Sequence, residues 1–311
     1  MNPIICVAGP TASGKTALAV ALAKELGGEV VSCDSMQVYR RMDIGTAKPT
    51  PEEMQGIPHH MIDVTEPDED FSVSRYCEMA SPIVDDILAR GKTAIIAGGT
   101  GLYMDSLIRG NAFAPFPSTG VREKLEQQAD AEGMEAMLSW LRSIDPEAAE
   151  RLHLSDRKRI IRALEVYLET GETITGHNRR TQAVVPKYAP IWLGLDFAER
   201  SELYRRIDLR VDRMLEMGLL QEIQSLLDSG ISAKCTAMQA IGYKEFVNAL
   251  SGRGSIEYAA EEVRKSSRHY AKRQLTWFRR NGAIHWLPRS AGMGDGEIFA
   301  WARQVLREFD N

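Results

Sequence analysis

Two hydrophobic patterns alternate along this chain. Short apolar runs at Asn2–Val7, Glu29–Ser32, Lys92–Ala97 and Ile191–Leu195 have the length and composition of buried strands. Ala17–Glu25 (ALAVALAKE) is dense in strong helix formers, and Ser74–Ala89 repeats its apolar residues at helical spacing. Residues 43–70 are rich in Pro, Asp, Glu and Gly and read as loop with short elements. Strand–helix alternation with glycines at strand ends predicts a parallel sheet of the α/β class. Ala114-Pro115-Phe116-Pro117 interrupts that alternation, and residues 121–182 that follow are helical in pattern. Pro186 and Pro190 mark a second break before Ile191–Leu195 returns to the sheet, and 199–229 and 255–280 are helical again. The expected organisation is a core begun by residues 1–114, a helical insertion over 115–185, and a segment 186–311 that completes the core and ends in basic helices.

Composition adds three exclusions. The chain has 311 residues and is 44% hydrophobic, enough for a substantial core. No apolar stretch approaches the roughly 20 residues that cross a bilayer, and the start of the chain lacks the pattern of a secretory leader, so a cytoplasmic protein without a membrane partner is expected. Cys6, Cys33, Cys77 and Cys235 are scattered, which argues against a disulfide framework and a zinc site. Net charge is −5, but residues 1–150 carry 12 Lys and Arg against 23 Asp and Glu, whereas the remainder carries 26 against 20. The later half is therefore basic and is the half to search for a nucleic-acid face.

Candidate chemistry begins at Gly9-Pro10-Thr11-Ala12-Ser13-Gly14-Lys15-Thr16, which fits GxxxxGK[ST] between a strand and a helix. Its backbone N–H groups and the helix N-terminus suit phosphate oxygens. Lys15 supplies a full charge, and the Thr16 hydroxyl suits Mg²⁺. The fold class is thus an α/β, P-loop NTPase-like parallel sheet core with a helical insertion domain. The loop alone leaves open whether a phosphoryl group is transferred or diphosphate departs.

Other strings are more specific. Asp34-Ser35-Met36-Gln37-Val38-Tyr39 follows a strand and runs on to Asp43-Ile44-Gly45-Thr46-Ala47-Lys48-Pro49. Gly98-Gly99-Thr100-Gly101-Leu102-Tyr103 closes another strand. With these motifs, Pro58-His59-His60 to Asp63, Arg162–Val166, Ile241–Glu245 and Arg268–Phe278, the chain resembles the bacterial form of the tRNA dimethylallyltransferase (tRNA isopentenylpyrophosphate transferase) family from about residue 4 to Trp286. Without the C-terminal zinc-finger pattern of eukaryotic members in this sequence, zinc is not expected.

The resemblance implies transfer of a dimethylallyl group from dimethylallyl diphosphate to the exocyclic amine of the adenosine next to the anticodon. Asp34 then suits the base that accepts the amine's proton, Thr100 lies at the reacting centre, and Lys15 stabilises the departing diphosphate with Gly9–Thr16. Arg210 resembles the family's diphosphate-binding arginine; it would otherwise be an ordinary helix charge. The residues implied to meet tRNA are Asp34, Ser35, Met36, Gln37, Thr100, Arg122, Lys158, Arg159, Ile160, Ile161, Arg162, Gln239, Ala240, Ile241, Gly242, Tyr243 and Lys244. Mg²⁺ at Thr16 is the implied cofactor, the anticodon stem-loop the partner, and a monomer the expected state.

Two further patterns bear on RNA. Arg157-Lys158-Arg159-Ile160-Ile161-Arg162 places four cations within six residues, and Val263–Arg280 holds seven cations and no acid. On a helix Arg264, Arg268 and Lys272 share a face, with Tyr270, Trp277 and Phe278 interleaved. That is an RNA-binding face or a solvated one. His59 and His60 lack a third ligand at metal spacing and read as structural, and Met137, Leu138, Trp140 and Leu141 as core. A small-molecule kinase, a dimethylallyltransferase acting on free adenylate, and a non-enzymatic RNA-binding regulator remain alternatives.

Overall fold

The computed structural model describes residues 4–110, 119–182 and 185–309. The Asn2 end of the first strand and the Ala114–Pro117 break lie outside the described residues. The chain forms two compact units, one of Met1–Gly110 with Lys187–Asn311 and one of Asn111–Pro186.

The first unit is built on six parallel strands, β1 (Ile4–Ala8), β2 (Glu29–Cys33), β3 (His59–His60), β4 (Ala94–Gly98), β5 (Pro190–Phe197) and β6 (Ile284–Arg289), in the order β3-β2-β4-β1-β5-β6. Strands covered on both faces read as continuous apolar runs; IICVA of β1 and EVVSC of β2 are fully buried. Ile5 and Val7 of β1, Ile95 of β4 and Leu193 and Leu195 of β5 pack with Leu18 and Leu22 of the helix Lys15–Leu26 and Ile298 and Val305 of the helix Asp295–Phe309. Phe197 packs with Leu203 and Ile207 of the helix Arg200–Glu216 and with Ala271 and Leu275 of the helix Ile256–Phe278.

Glu29 is the one acid of β2, and it is buried. Arg90 (2.5 and 2.9 Å), Lys92 (2.7 Å) and His60 (2.8 Å) surround its carboxylate. Hydrogen bonds from Arg90 and its neighbours hold that carboxyl well below the ordinary range against the opposing effect of burial. His60 thus serves the sheet edge, as its isolated motif suggests.

The second unit is helical: Val121–Glu132, Met134–Ile144, Pro146–Arg151, Arg157–Thr170 and Ile174–Gln182. Leu125, Met137, Leu138, Leu141, Ile160, Ile161 and Leu164 form its core. The chain leaves the first unit just after the helix Gly101–Arg109 and re-enters where Lys187 N and Tyr188 N both donate to Ile108 O (2.9 and 3.2 Å). Tyr188 Oη adds a bond to Asp85 (2.8 Å) and Lys187 Nζ another (2.6 Å).

Candidate active site

In a parallel sheet the carboxyl ends of the strands gather the loops that bind ligands. Here β1 runs into the phosphate loop, β2 into Asp34 and β4 into Gly99-Thr100. The strands are neighbours: Ala8 pairs with Gly98, and Gly98 with Cys33.

The phosphate loop is held from outside by its carbonyls. Lys15 Nζ donates to Pro10 O (2.6 Å), Arg206 Nε to Ala12 O (2.9 Å) and Arg289 Nη1 to Ser13 O (2.8 Å). Arg210 Nη1 donates to Thr11 Oγ1 (3.0 Å). Glycine is required at two points. A Cβ at Gly9 would lie 2.7 Å from Leu195 O, and at Gly14, where φ is +93°, 2.6 Å from Arg289 Nη1. Ser13 Oγ is buried and has no hydrogen-bond partner among the described residues. A buried hydroxyl without a partner is costly. Burial, then the charge of Arg210, bring the Lys15 ammonium down to about 7, partly offset by Asp34. Burial likewise lowers Arg210, again offset by Asp34. The loop therefore stores positive charge that an anion would relieve.

Asp34 Oδ1 accepts from Met36 N (2.8 Å) and Gln37 N (3.3 Å), an Asx-type turn that locks its orientation. Oδ2 has no partner among the described residues. Thr100 Oγ1 accepts from Ser35 N (3.1 Å), joining the two strand ends. The amide of Gln37 is engaged: Oε1 accepts from Ser32 Oγ (3.0 Å), and Nε2 donates to Ala47 O (3.1 Å) and Thr46 O (3.4 Å). Gln37 therefore braces the following loop through its amide.

The glycines of Gly98–Gly101 admit close neighbours. A Cβ at Gly98 would strike the Cys33 backbone at 2.0 Å, at Gly99 Gln274 Nε2 at 2.0 Å, and at Gly101 the Trp277 ring at 2.1 Å. Gln274 bonds Thr11 N (2.8 Å) and Gly99 O (3.0 Å), and Trp277 Nε1 donates to Asp105 (2.8 Å). Burial and then the Asp34 carboxylate raise the Tyr270 hydroxyl above its ordinary range, partly offset by its hydrogen bond with Thr100.

Of the residues expected to meet tRNA, Lys158, Arg159, Gln239 and Lys244 are exposed. Arg122 and Arg162 both bond Glu165 Oε2 (3.1 and 2.7 Å). Ile241 and Ala240 are half-buried, and Gly242 is buried. The side chains of three of these residues are buried. Ile160 and Ile161 lie in the core of the helical unit, so their side chains pack the helix that displays Lys158 and Arg159. Tyr243 is fully buried, and a Cβ at Gly45 would lie 2.4 Å from its ring. Its hydroxyl donates to Glu222 Oε1 (2.6 Å), while the Glu222 carboxylate accepts from Asp43 N, Ile44 N and Gly45 N (2.8, 2.8 and 3.1 Å). Tyr243 thus anchors the loop after Tyr39.

The basic face of Ile256–Phe278 is corrected. Arg268 makes a bidentate pair with Asp208 (2.9 Å), and Arg264 pairs with Asp212, both on the helix Arg200–Glu216. These arginines tie two helices together. Lys272 is exposed and unpaired among the described residues.

Sequence reasoning missed Arg206, Arg289, Glu222 and Gln274. Arg206 had a signal, one helical turn before Arg210. Gln274 had one as well, four positions after Tyr270 and three before Trp277. Arg289 and Glu222 lie in unremarkable segments and carry none.

Residues 37–281 match the family model described as IPP transferase. The tRNA dimethylallyltransferase of Thermoanaerobacter sp. (strain X514) is 50% identical over 285 residues, 91% of this chain and 90% of that protein. The tRNA dimethylallyltransferase of Acetivibrio thermocellus is 44% identical over 310 residues, 99% of each. Among solved structures, the full-length tRNA isopentenylpyrophosphate transferase of Bacillus halodurans matches at 41% identity and TM-score 0.73, covering 99% of this chain and 98% of that one. A eukaryotic dimethylallyltransferase acting on tRNA matches at 30% identity and TM-score 0.85, covering 99% and 79%.

Proposed function

This chain belongs to the IPP transferase family, and we propose that it transfers a dimethylallyl group from dimethylallyl diphosphate to the exocyclic amine of the adenosine next to the anticodon of tRNA. The observation that carries the chemistry is the convergence of three strand ends: a phosphate loop with an unpartnered Ser13 hydroxyl, the Asp34 carboxylate with Oδ2 free, and Thr100 bonded to the Asp34–Gln37 turn.

In this reading the amine nitrogen attacks the allylic carbon, the carbon–oxygen bond to diphosphate breaks, and its electron pair leaves with the diphosphate. The amine proton passes to Asp34 Oδ2. The amine is a weak nucleophile because its lone pair is delocalised into the purine, so proton acceptance as the bond forms is worth about 10²–10⁴-fold. Lys15, Arg210, Ser13 Oγ and the loop N–H groups meet the charge that develops on the leaving group. Thr11 N is excluded from that role because Gln274 already occupies it.

Among the described residues no group of three or more His, Cys, Asp or Glu could hold a metal ion. A hydroxyl at Thr16 near a phosphate cradle nevertheless fits Mg²⁺, which keeps several waters and binds largely through substrate phosphates. When bound, Mg²⁺ would neutralise charge on the departing diphosphate. Lys158 and Arg159 of the helical unit and Gln239 and Lys244 of the first are the exposed side chains we assign to tRNA. Among the described residues no helix is long and apolar enough to cross a membrane.

The test is incubation with radiolabelled dimethylallyl diphosphate and unmodified tRNA, followed by nucleoside analysis. Label in an adenosine nucleoside is the expected result. Label absent from tRNA, with ATP turned over to ADP, would replace this reading with a kinase.

A further inference from the structure

We propose that Gln274 is a positioning residue for the transfer reaction, a bridge that sets the distance between the phosphate loop and the Thr100 turn; this rests on the transfer reading above. The sheet ladder explains why a bridge is needed. β1 and β4 pair in register to Ala8 and Gly98, and beyond that rung the two chains diverge, one into the loop and the other into Gly99-Thr100. The first groups past the ladder include Thr11 N and Gly99 O. The Gln274 amide accepts from one (2.8 Å) and donates to the other (3.0 Å). A donor and an acceptor on its two partners leave the amide one orientation. The side chain thus acts as a rung one amide wider than a direct backbone bond.

Three features make the bridge rigid. Gln274 is buried, at 5% exposure, so breaking either bond leaves an unsatisfied polar group. The absence of a Cβ at Gly99 lets the amide seat against the backbone. Finally, Tyr270, Gln274 and Trp277 fall at i, i+4 and i+7 on the helix Ile256–Phe278, one face of it, and engage Thr100, Gly99 and Asp105 in turn. The helix therefore holds the Thr100 turn and the start of the helix that follows it at three points, and Gln274 is the one of the three that also reaches the phosphate loop. The leaving group lies on one side of this bridge and the hydroxyl at the reacting centre on the other. A small change in their separation is expensive, since a misplacement of about 1 Å can lose about 10²-fold in rate.

Two variants test this against the wild-type protein. Gln274→Met keeps the volume and removes both hydrogen bonds. The single-turnover rate with saturating dimethylallyl diphosphate and tRNA should fall about 10–100-fold, while affinities for inorganic pyrophosphate and for tRNA stay near wild type. Gln274→Glu can replace the amide only when its carboxyl is protonated and donates to Gly99 O. Its rate, taken as a ratio to wild type at each pH, should approach one at low pH and decline as the carboxyl ionises. The charged and titratable groups around the bridged turns are Lys15, Arg206, Arg210, Arg289, Cys33, Asp34, Asp105 and Tyr270, and all are present in both proteins, so the ratio to wild type reads the change at position 274. A purely structural side chain would give no such pH-dependent ratio. Wild-type rates in Gln274→Met, or a flat ratio for Gln274→Glu, would overturn the inference. Should Gln274→Met fail to fold, the Glu ratio alone decides. If the wild-type protein transfers no prenyl group, the transfer reading falls and this inference with it; if all three transfer alike, the inference alone falls.

Discussion

At the scale of single residues, the site divides between groups that meet charge and groups that hold them still. On the transfer reading Asp34 belongs to both: Oδ1 accepts from its own turn, and Oδ2 would take the amine proton. Asp34→Ala should reduce the single-turnover rate by about 10²–10⁴-fold while pyrophosphate affinity measured with Mg²⁺ survives. A variant that regains wild-type turnover when Mg²⁺ is raised would make Asp34 a metal ligand instead. Lys15 gives a second expectation. Its ammonium titrates near 7 in the free protein because of burial and the adjacent Arg210, and a bound diphosphate favours the charged form. Above that pH the free protein has lost the proton and must regain it on binding. Pyrophosphate affinity should therefore fall as pH rises past 7, by at most about tenfold per pH unit from this group. Calorimetry at pH 8 in two buffers of different ionisation enthalpy measures the uptake. Lys15→Arg should abolish Lys15's share, and unchanged uptake would refute the assignment.

At the scale of elements, the strands and the phosphate loop were legible because their signals are local: an apolar run, a glycine, a lysine after it. β1, β2, β4 and β5 follow from that pattern, whereas β3 is two residues long and β6 contains Pro288 and alternates too weakly to stand out. Charge on the helix Ile256–Phe278 misled for a related reason. Val263–Arg280, with seven cations and no acid, looks solvated or RNA-facing in sequence, yet Arg268 and Arg264 pair with Asp208 and Asp212, 60 and 52 positions earlier. Arg268→Ala should accordingly lower stability by about 1–2 kcal/mol, allowing for partial exposure, and leave tRNA affinity intact. Denaturant midpoints and filter binding distinguish this from an RNA contact. Glu29 makes the opposite use of charge, one acid serving two cations and a histidine. Its folded carboxyl titrates below its unfolded value, so its stabilisation is present above the unfolded pKa of about 4.3 and is lost as pH falls below it. Glu29→Gln should destabilise the protein at pH 7 by about 2 kcal/mol and flatten the acid side of a plot of melting temperature against pH. An acid limb identical to wild type would contradict this.

At the scale of the whole molecule, the charge imbalance between the two halves of the chain has a use on the transfer reading: an acidic N-terminal half is joined to a basic remainder, and the exposed cations Lys158 and Arg159 stand on a helix packed by Ile160 and Ile161. Lys158→Ala should weaken tRNA binding and lower its salt slope by about 0.7–0.9, with pyrophosphate binding unchanged. Equal loss of both affinities would mean that Lys158 holds the fold. The clasp at Ile108, which receives both Lys187 N and Tyr188 N, has a consequence for how such a protein can be rebuilt. The segment that departs after Arg109 comes back to the same point, so the sheet does not depend on what fills the excursion, and bringing together ends already fixed side by side adds little entropic penalty for a longer or shorter insert. Replacing residues 111–186 by a short glycine linker should leave a protein that still captures pyrophosphate and keeps Gln239 and Lys244 but has lost Lys158 and Arg159, and with them part of its affinity for tRNA, and a different RNA-reading module spliced at the same point would redirect the chemistry without redesigning it.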